Sequence, residues 1–313
     1  MPLRLKILAA IFIVLLGLVF VQNYQLSLPG GQAESDVAIT DTAGIFAVQY
    51  VRPDGQEVTI RKEGSGWLLN NGYEARAYLK NLLFTGFAGM RVKREVSESA
   101  REEIRKRLLT SGYKVTVNQG EGVLGKTFYM ASNPDDPNST LYYNPAESET
   151  PYIVLVPGFE GSMANLFALP PSEWREKEFF VSSPENLQLV QVDYPDFPRQ
   201  SFTVSYGKTG FSVSDIERLD TLRLSRYLNA YSYLTINTYI DGGKDSLTKM
   251  IGKITPLAIV RVESLRQNRT LEIYEKNGKL LGIIPDQDQL VSLRPEVYNP
   301  LLVKREYFSA SQK

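Results

Sequence analysis

The chain has no cysteine and no histidine. Lack of cysteine rules out disulfides, a thiolate nucleophile and sulfur-ligated metals. Lack of histidine removes the commonest general base and metal ligand, so Ser-His-Asp, Cys-His and histidine-metal sites are excluded. An excess of one charge is missing too: 35 Lys and Arg stand against 35 Asp and Glu. No global field therefore recruits nucleic acid or an acidic surface, and no nucleic-acid partner is expected.

What is present begins with an apolar run. Residues 7–21, ILAAIFIVLLGLVFV, hold no polar side chain and follow Arg4 and Lys6. As a helix this run rises about 22 Å, against a hydrocarbon core of about 30 Å, so the flanks must complete a span. Val19-Phe20-Val21 offers none of the small residues, three apart, that precede a signal-peptide cut. Residues 1–24 are accordingly expected to be an uncleaved signal-anchor meeting the membrane through residues 7–21. Positive charge before the run and Tyr24 after it put the N-terminus in the cytoplasm and the bulk of the chain outside.

Behind a Pro- and Gly-bearing linker at 25–44, the rest of the 313 residues reads as one unit written twice. AVQYVRPDGQEVTIRKEGSGWLL at 47–69 aligns without a gap with QVDYPDFPRQSFTVSYGKTGFSV at 191–213. The match sets Val48 on Val192, Tyr50 on Tyr194, Thr59 on Thr203, Gly66 on Gly210 and Trp67 on Phe211. Glu178-Phe179-Phe180 is echoed by Glu306-Tyr307-Phe308, which suggests repeats at 45–181 and 182–313. Either is long enough for a core of its own.

Alternation and turn residues predict strands at 45–51, 56–62, 113–118, 126–131 and 152–156 in the first copy. Helices are expected over 79–87 and 97–109, with Ser97 and Ser99 as candidate caps. The second copy reads as strands at 187–194, 200–206, 257–264, 269–275, 279–284 and 289–293, a helix from Leu219 to Tyr231, a shorter helix at 244–251, and a final KREYF strand or tail. Strands cluster around paired helices instead of alternating with them. The expected class is α+β: a transmembrane helix followed by two duplicated, mostly antiparallel sheet-plus-helix domains.

Several motifs suggest chemistry. Gly120 to Thr127 satisfies the G-x-x-x-x-G-K-T phosphate-loop pattern, but Phe128-Tyr129-Met130 continues as a strand, whereas a phosphate loop opens a helix. A hairpin turn is the expectation, with no nucleotide. Lys208-Thr209-Gly210, with Ser111-x-x-Lys114 and Ser246-x-x-Lys249, resembles the set used by penicillin-recognising enzymes. Lys208-Thr209-Gly210 nevertheless falls on the duplicated turn at Gly64-Ser65-Gly66. Asp135 and Asp136 with Asn133 and Asn138, and Asp286 with Asp288, lack calcium-loop spacing and read as solvated turns. Gly158-Phe-Glu-Gly-Ser162 is a poor nucleophile elbow. No catalytic residue, cofactor or metal site is assigned. Tyr231, Tyr233, Tyr239 and Asn237 form the candidate partner or ligand surface, being tyrosine- and asparagine-rich. The competing reading is a helix core face for Tyr227 and Tyr231.

Certain residues carry a resemblance: the charged then apolar N-terminus, Gly66-Trp67 after a strand–turn–strand, Tyr73-Glu-Ala-Arg76, Tyr152-Ile-Val-Leu-Val-Pro-Gly-Phe-Glu160, and Trp174-Arg175 before Phe179-Phe180. Nearly the whole chain resembles the bacterial domain of unknown function 4340 family. The resemblance implies a membrane-anchored envelope protein of the bacterial inner membrane, in a family some of whose members are encoded beside gliding-type ABC transporter subunits. It supplies no catalytic residues. The expected function is an extracytoplasmic binding or scaffold protein with an envelope protein partner and no enzymatic activity. A glycan- or peptidoglycan-binding module is the alternative, and a Ser/Lys hydrolase a lesser one.

Overall fold

The computed structural model describes residues 37–70, 72–120, 125–240, 245, 249 and 251–310. The expected anchor at 1–24 and Ser246 lie outside the described residues. The chain divides into two compact units, Met1–Asn70 with Ala77–Leu169, and Asn71–Arg76 with Pro170–Lys313.

Unit 1 carries β1 (Ile45–Val51), β2 (Glu57–Glu63), β3 (Gly66–Leu69), α1 (Ala77–Gly89), β4 (Arg91–Glu95), α2 (Arg101–Ser111), β5 (Tyr113–Gln119), β6 (Lys126–Ser132), β7 (Thr140–Tyr143), β8 (Tyr152–Leu155) and α3 (Ala164–Ala168). Its eight strands form one antiparallel sheet in the order β3-β2-β1-β5-β6-β7-β8-β4. In β2, Val58 and Ile60 are buried while Thr59 and Arg61 face the other way, the period-two pattern of a strand with one apolar face. Leu79, Leu83 and Phe87 recur along α1 at helical spacing and are buried. Phe87 meets Phe128 edge to face at 6.0 Å and stacks near Phe167 at 6.5 Å, so α1 and α3 share the inner face of the sheet. The end of the expected linker belongs to this core. Val37 and Ile39 are buried, and the Ile39 N–H donates to the Phe87 carbonyl at 2.9 Å.

Unit 2 carries β9 (Glu178–Val181), β10 (Leu187–Asp193), β11 (Phe202–Gly207), β12 (Gly210–Val213), α4 (Thr221–Asn229), β13 (Tyr233–Thr235), β14 (Thr238–Tyr239), β15 (Ala258–Ser264), β16 (Asn268–Lys276), β17 (Lys279–Ile284), β18 (Gln289–Leu293) and α5 (Pro295–Tyr298). Its main sheet has the order β12-β11-β10-β15-β16-β17-β18-β14, strand for strand that of unit 1. Asp220 caps α4 by accepting from the Leu222 and Arg223 N–H groups at 3.1 and 3.0 Å. Leu224, Tyr227 and Leu228 on that helix join the core beneath the sheet.

The registers correct the gapless alignment. From β2 to β3 it holds: Glu63 faces Gly66 and Gly207 faces Gly210, both across two-residue turns. One strand earlier it fails, because Gln49 faces Thr59 whereas Gln191 faces Thr203, making the second hairpin two residues longer. The true counterparts are Val48 with Val190, Gln49 with Gln191, and Tyr50 with Val192. The Phe-Phe echo is corrected as well. Sequence reading closed the first repeat at 181, but unit 1 ends at Leu169, and β9 pairs with β13 inside unit 2. The C-terminal KREYF is neither strand nor free tail. Arg305–Phe308 makes a 3₁₀ turn, and Phe308 is wholly buried, edge-on to Phe202 at 4.9 Å and Tyr227 at 5.0 Å. Ser97 precedes a 3₁₀ turn at Glu98–Ala100 but makes no side-chain cap.

Phe308→Ala is expected to destabilise unit 2 by about 3–5 kcal/mol, the range for emptying a buried phenylalanine site. Tyr307→Ala, at a partly buried position, is expected to cost less. Urea unfolding of the two variants decides between this packed terminus and a dispensable tail, for which both would unfold like wild type.

Candidate binding site

A helix covers only part of the outer face of the unit 1 sheet. In unit 1, Leu108 and Ile104 of α2 pack on Ala131, Leu141 and Tyr143 of β6 and β7. Over β2, β1 and β5 that face is open and forms a groove of about 750 Å³. Its floor is polar and nearly uncharged. The cross-strand register sets Thr59, Gln49, Thr116 and Thr127 in one row, from β2 through β1 and β5 to β6. The Thr116 and Thr127 hydroxyls are hydrogen-bonded at 2.9 Å. At one end, Asn70 accepts from the Thr59 N–H and donates to the Glu57 carbonyl at 2.8 Å, which fixes its amide. The Gln49 side chain lines the groove and has no hydrogen-bond partner among the described residues.

The duplicated scaffold supplies an internal comparison. The matching row in unit 2 is Thr203, Gln191, Arg261 and Thr270. There the Gln191 amide donates to Asp193 at 2.9 Å, and Arg261 donates to the same carboxylate at 2.8 Å. In unit 2 Asp193, two residues along β10, thus ties Gln191 and Arg261 of the row together. Unit 1 has Val51 and Thr116 where unit 2 has Asp193 and Arg261, so no carboxylate stands beside its glutamine in the equivalent place.

Unit 2 has a smaller cavity, about 360 Å³, beside Arg175. Arg175 is buried, with its guanidinium between the rings of Tyr73 at 3.7 Å and Tyr239 at 3.5 Å. It donates to Gln289 Oε1 at 2.8 Å, and Gln289 in turn donates to the Tyr73 hydroxyl at 3.2 Å. Arg76 N–H donates to the Trp174 carbonyl at 2.7 Å, and Glu176 N–H to the Glu74 carbonyl at 2.9 Å. Residues 72–76 are therefore held along residues 174–176 as part of unit 2. The Tyr73–Arg76 and Trp174-Arg175 motifs meet here as a structural clamp, since stacking on two rings and the amide engages both faces and one edge of the guanidinium.

The four residues assigned to a partner surface do not form one. Tyr231 is fully buried, and its hydroxyl lies 2.7 Å from that of Tyr227, which also donates to the Leu301 carbonyl at 3.3 Å. Its helix-facing side is core, the competing reading above. Tyr239 is half-buried on Arg175, and its hydroxyl donates to the Glu176 carbonyl at 2.7 Å. Tyr233, 59% exposed, and the exposed Asn237 remain on the surface, the latter donating to the Ser292 hydroxyl at 3.2 Å.

The motif residues are equally engaged. Lys126 lies in β6 opposite Val117 of β5, so the phosphate-loop-like segment joins two antiparallel strands, and the lysine pairs with Glu147 at 3.1 Å. Lys208-Thr209 forms the turn between β11 and β12, and Ser111 ends α2. Ser162 is buried with its hydroxyl 2.8 Å from that of Thr140. Asp136 pairs with Lys93 at 3.0 Å, and this hydrogen bond lowers its carboxyl below the ordinary range. Among the described residues no group of His, Cys, Asp or Glu is placed to hold a metal. No family model, curated protein or solved structure matches the chain.

Sequence reasoning had the groove's strands but not its row. Alternating Thr, Gln and Asn along β1, β2 and β5 was the available signal, and only the cross-strand register shows which of them are neighbours.

Burial pushes the Tyr231 phenol up, and burial together with Tyr231 pushes Tyr227 further. The fold keeps both neutral, whereas an unfolded tyrosine ionises near about pH 10. Stability is therefore full below that pH and falls as pH rises above it, where the unfolded chain has lost protons that the fold retains. Tyr231→Phe is expected to flatten this alkaline loss while costing about 1 kcal/mol at neutral pH. Thermal unfolding followed from neutral to alkaline pH checks both effects.

Proposed function

We propose that the chain is a membrane-anchored, extracytoplasmic binding and scaffold protein of the bacterial cell envelope, without catalytic activity of its own. The unit 1 groove carries this reading. It presents amide and hydroxyl groups in a row, a surface suited to holding a ligand. Among the described residues no nucleophile–base pair stands in it, and Lys208 lies in a turn, Lys126 in a strand and Ser162 in a buried hydroxyl pair, while Ser246 lies outside the described residues. A Ser/Lys hydrolase would need a nucleophile within reach of a base.

The N-terminal apolar run supports the anchor, and the resemblance to the domain of unknown function 4340 family supports an envelope setting beside a gliding-type ABC transporter. Among the described residues no helix is long and apolar enough to cross a membrane, so residues 7–21 alone bear that part of the proposal.

Because the chain has no cysteine, a single introduced thiol reports on itself alone. Glu57→Cys, exposed at the groove rim, is expected to react in spheroplasts with a membrane-impermeant maleimide carrying a photocrosslinker. Illumination is then expected to give an adduct of defined mass. Labelling only after permeabilisation would contradict the extracytoplasmic placement. Absence of any adduct at native expression would contradict a bound partner or ligand at the groove.

A further inference from the structure

We propose that the unit 1 groove binds an extended, uncharged glycan chain, laid across the strands along Thr59, Gln49, Thr116 and Thr127. The inference rests on the binding-protein reading and names the ligand class.

The lining decides the class. Adjacent strands lie about 4.8 Å apart, so the four side chains span roughly 14 Å at even intervals. That spacing is close to the length of one pyranose in an extended chain, so successive sugars present hydroxyls to successive side chains. Threonine hydroxyls donate and accept, and the Gln49 amide does both in one plane, as sugar hydroxyls require. The next row sets Ala47 between Arg61 and Asn118, and the Asn118 side chain lies over Gly125, where a Cβ would collide with its Oδ1 and fall 2.6 Å from the Val117 carbonyl oxygen. A β-bulge between Ile45 and Ala47 brings Phe46 to the groove wall, where its ring can cover the C–H face of a sugar.

Other ligand classes fit less well. Nucleic acid calls for clustered cations, and the only one among the described lining residues, Arg61, is paired with Glu63 at 3.0 Å. A peptide adding by strand pairing needs a free sheet edge, whereas β1 and β5 are interior strands with both sides taken. An apolar small molecule would cover the Gln49 amide without giving it a hydrogen-bond partner. A neutral polyol is what remains, and unit 2, where Asp193 and Arg261 close the same row, is predicted not to share the site.

The test uses the full-length chain in detergent, titrated calorimetrically with chitohexaose and with cellohexaose. At least one is expected to bind. Gln49→Leu with Thr116→Val is expected to weaken that binding about tenfold or more, as loss of two hydrogen bonds implies. Thr116→Ser, which keeps the hydroxyl, is expected to retain it, and Thr270→Val in unit 2 to leave it unchanged. If the double variant fails to fold, Thr127→Val at the end of the row carries the same expectation. Binding of neither sugar, or binding indifferent to these substitutions, overturns the proposal. Should the sugars fail while the double substitution abolishes a crosslink from position 57 to a protein, the glycan class falls and the binding reading stands. Failure of both removes both.

Discussion

Each sheet depends on a non-local pairing of its first strand. β1 lies between β2 and β5, although β3, α1, β4 and α2 also come before β5 in the chain, and β10 lies between β11 and β15, although β12, α4, β13 and β14 also come before β15. That non-local pairing joins a three-stranded meander to a four-stranded one, and with the edge strand β4 or β14 makes a single surface of eight strands. Its cost in loop closure is offset only if the inner face buries enough apolar side chain. Tyr50, Ile60, Val115 and Phe128 in unit 1, and Val192, Val204, Val260 and Ile273 in unit 2, are all essentially inaccessible. The same joining leaves an outer face too wide for one short helix, and the uncovered part must be polar. In unit 2 the polar side chains bond one another. In unit 1 the Thr116 and Thr127 hydroxyls bond each other but the Gln49 side chain has no partner among the described residues, and that difference between two copies of one scaffold singles out the groove.

The Arg175 clamp belongs to the same economy of structure. Residues 72–76 follow β3 of unit 1 yet pack within unit 2, where Tyr73 and Tyr239 enclose the guanidinium. A buried arginine of this kind is stable because both ring faces and a side-chain amide replace water around a weakly hydrated cation. It accounts for the Tyr73–Arg76 and Trp174-Arg175 motifs in structural terms.

Much of the architecture was legible from residue order. Strands with strict alternation, such as β2 and β15, fell within a residue or two of expectation, because their faces differ so sharply in polarity. The hairpin reading of Gly120–Thr127 followed from the β-prone residues after Lys126. Short elements were missed: β4, with only Val92 half-buried among charged neighbours, and β7, whose four residues are all buried and show no alternation. Register was beyond reach in one place, since a two-residue difference in hairpin length keeps the side-chain parity and leaves the apolar pattern of β1 and β10 equally well matched. The tyrosine cluster misled for a related reason. Helical spacing placed Tyr227 and Tyr231 on one face, but only the position of Phe308 and Leu301 shows that the face points inward. The functional row is a tertiary property, assembled from β2, β1, β5 and β6, and no single segment announces it.

The central claim is that a Gln49 without a partner among the described residues of unit 1, against a Gln191 bonded to Asp193 in unit 2, separates a binding copy from a supporting copy. It is tested most directly by building the unit 2 network into unit 1 through Val51→Asp with Thr116→Arg, then measuring sugar affinity and melting temperature together. The account predicts that Gln49 becomes bonded to the new carboxylate, that the melting temperature holds or rises, and that glycan binding disappears. Undiminished binding by this variant at an unchanged melting temperature would contradict it.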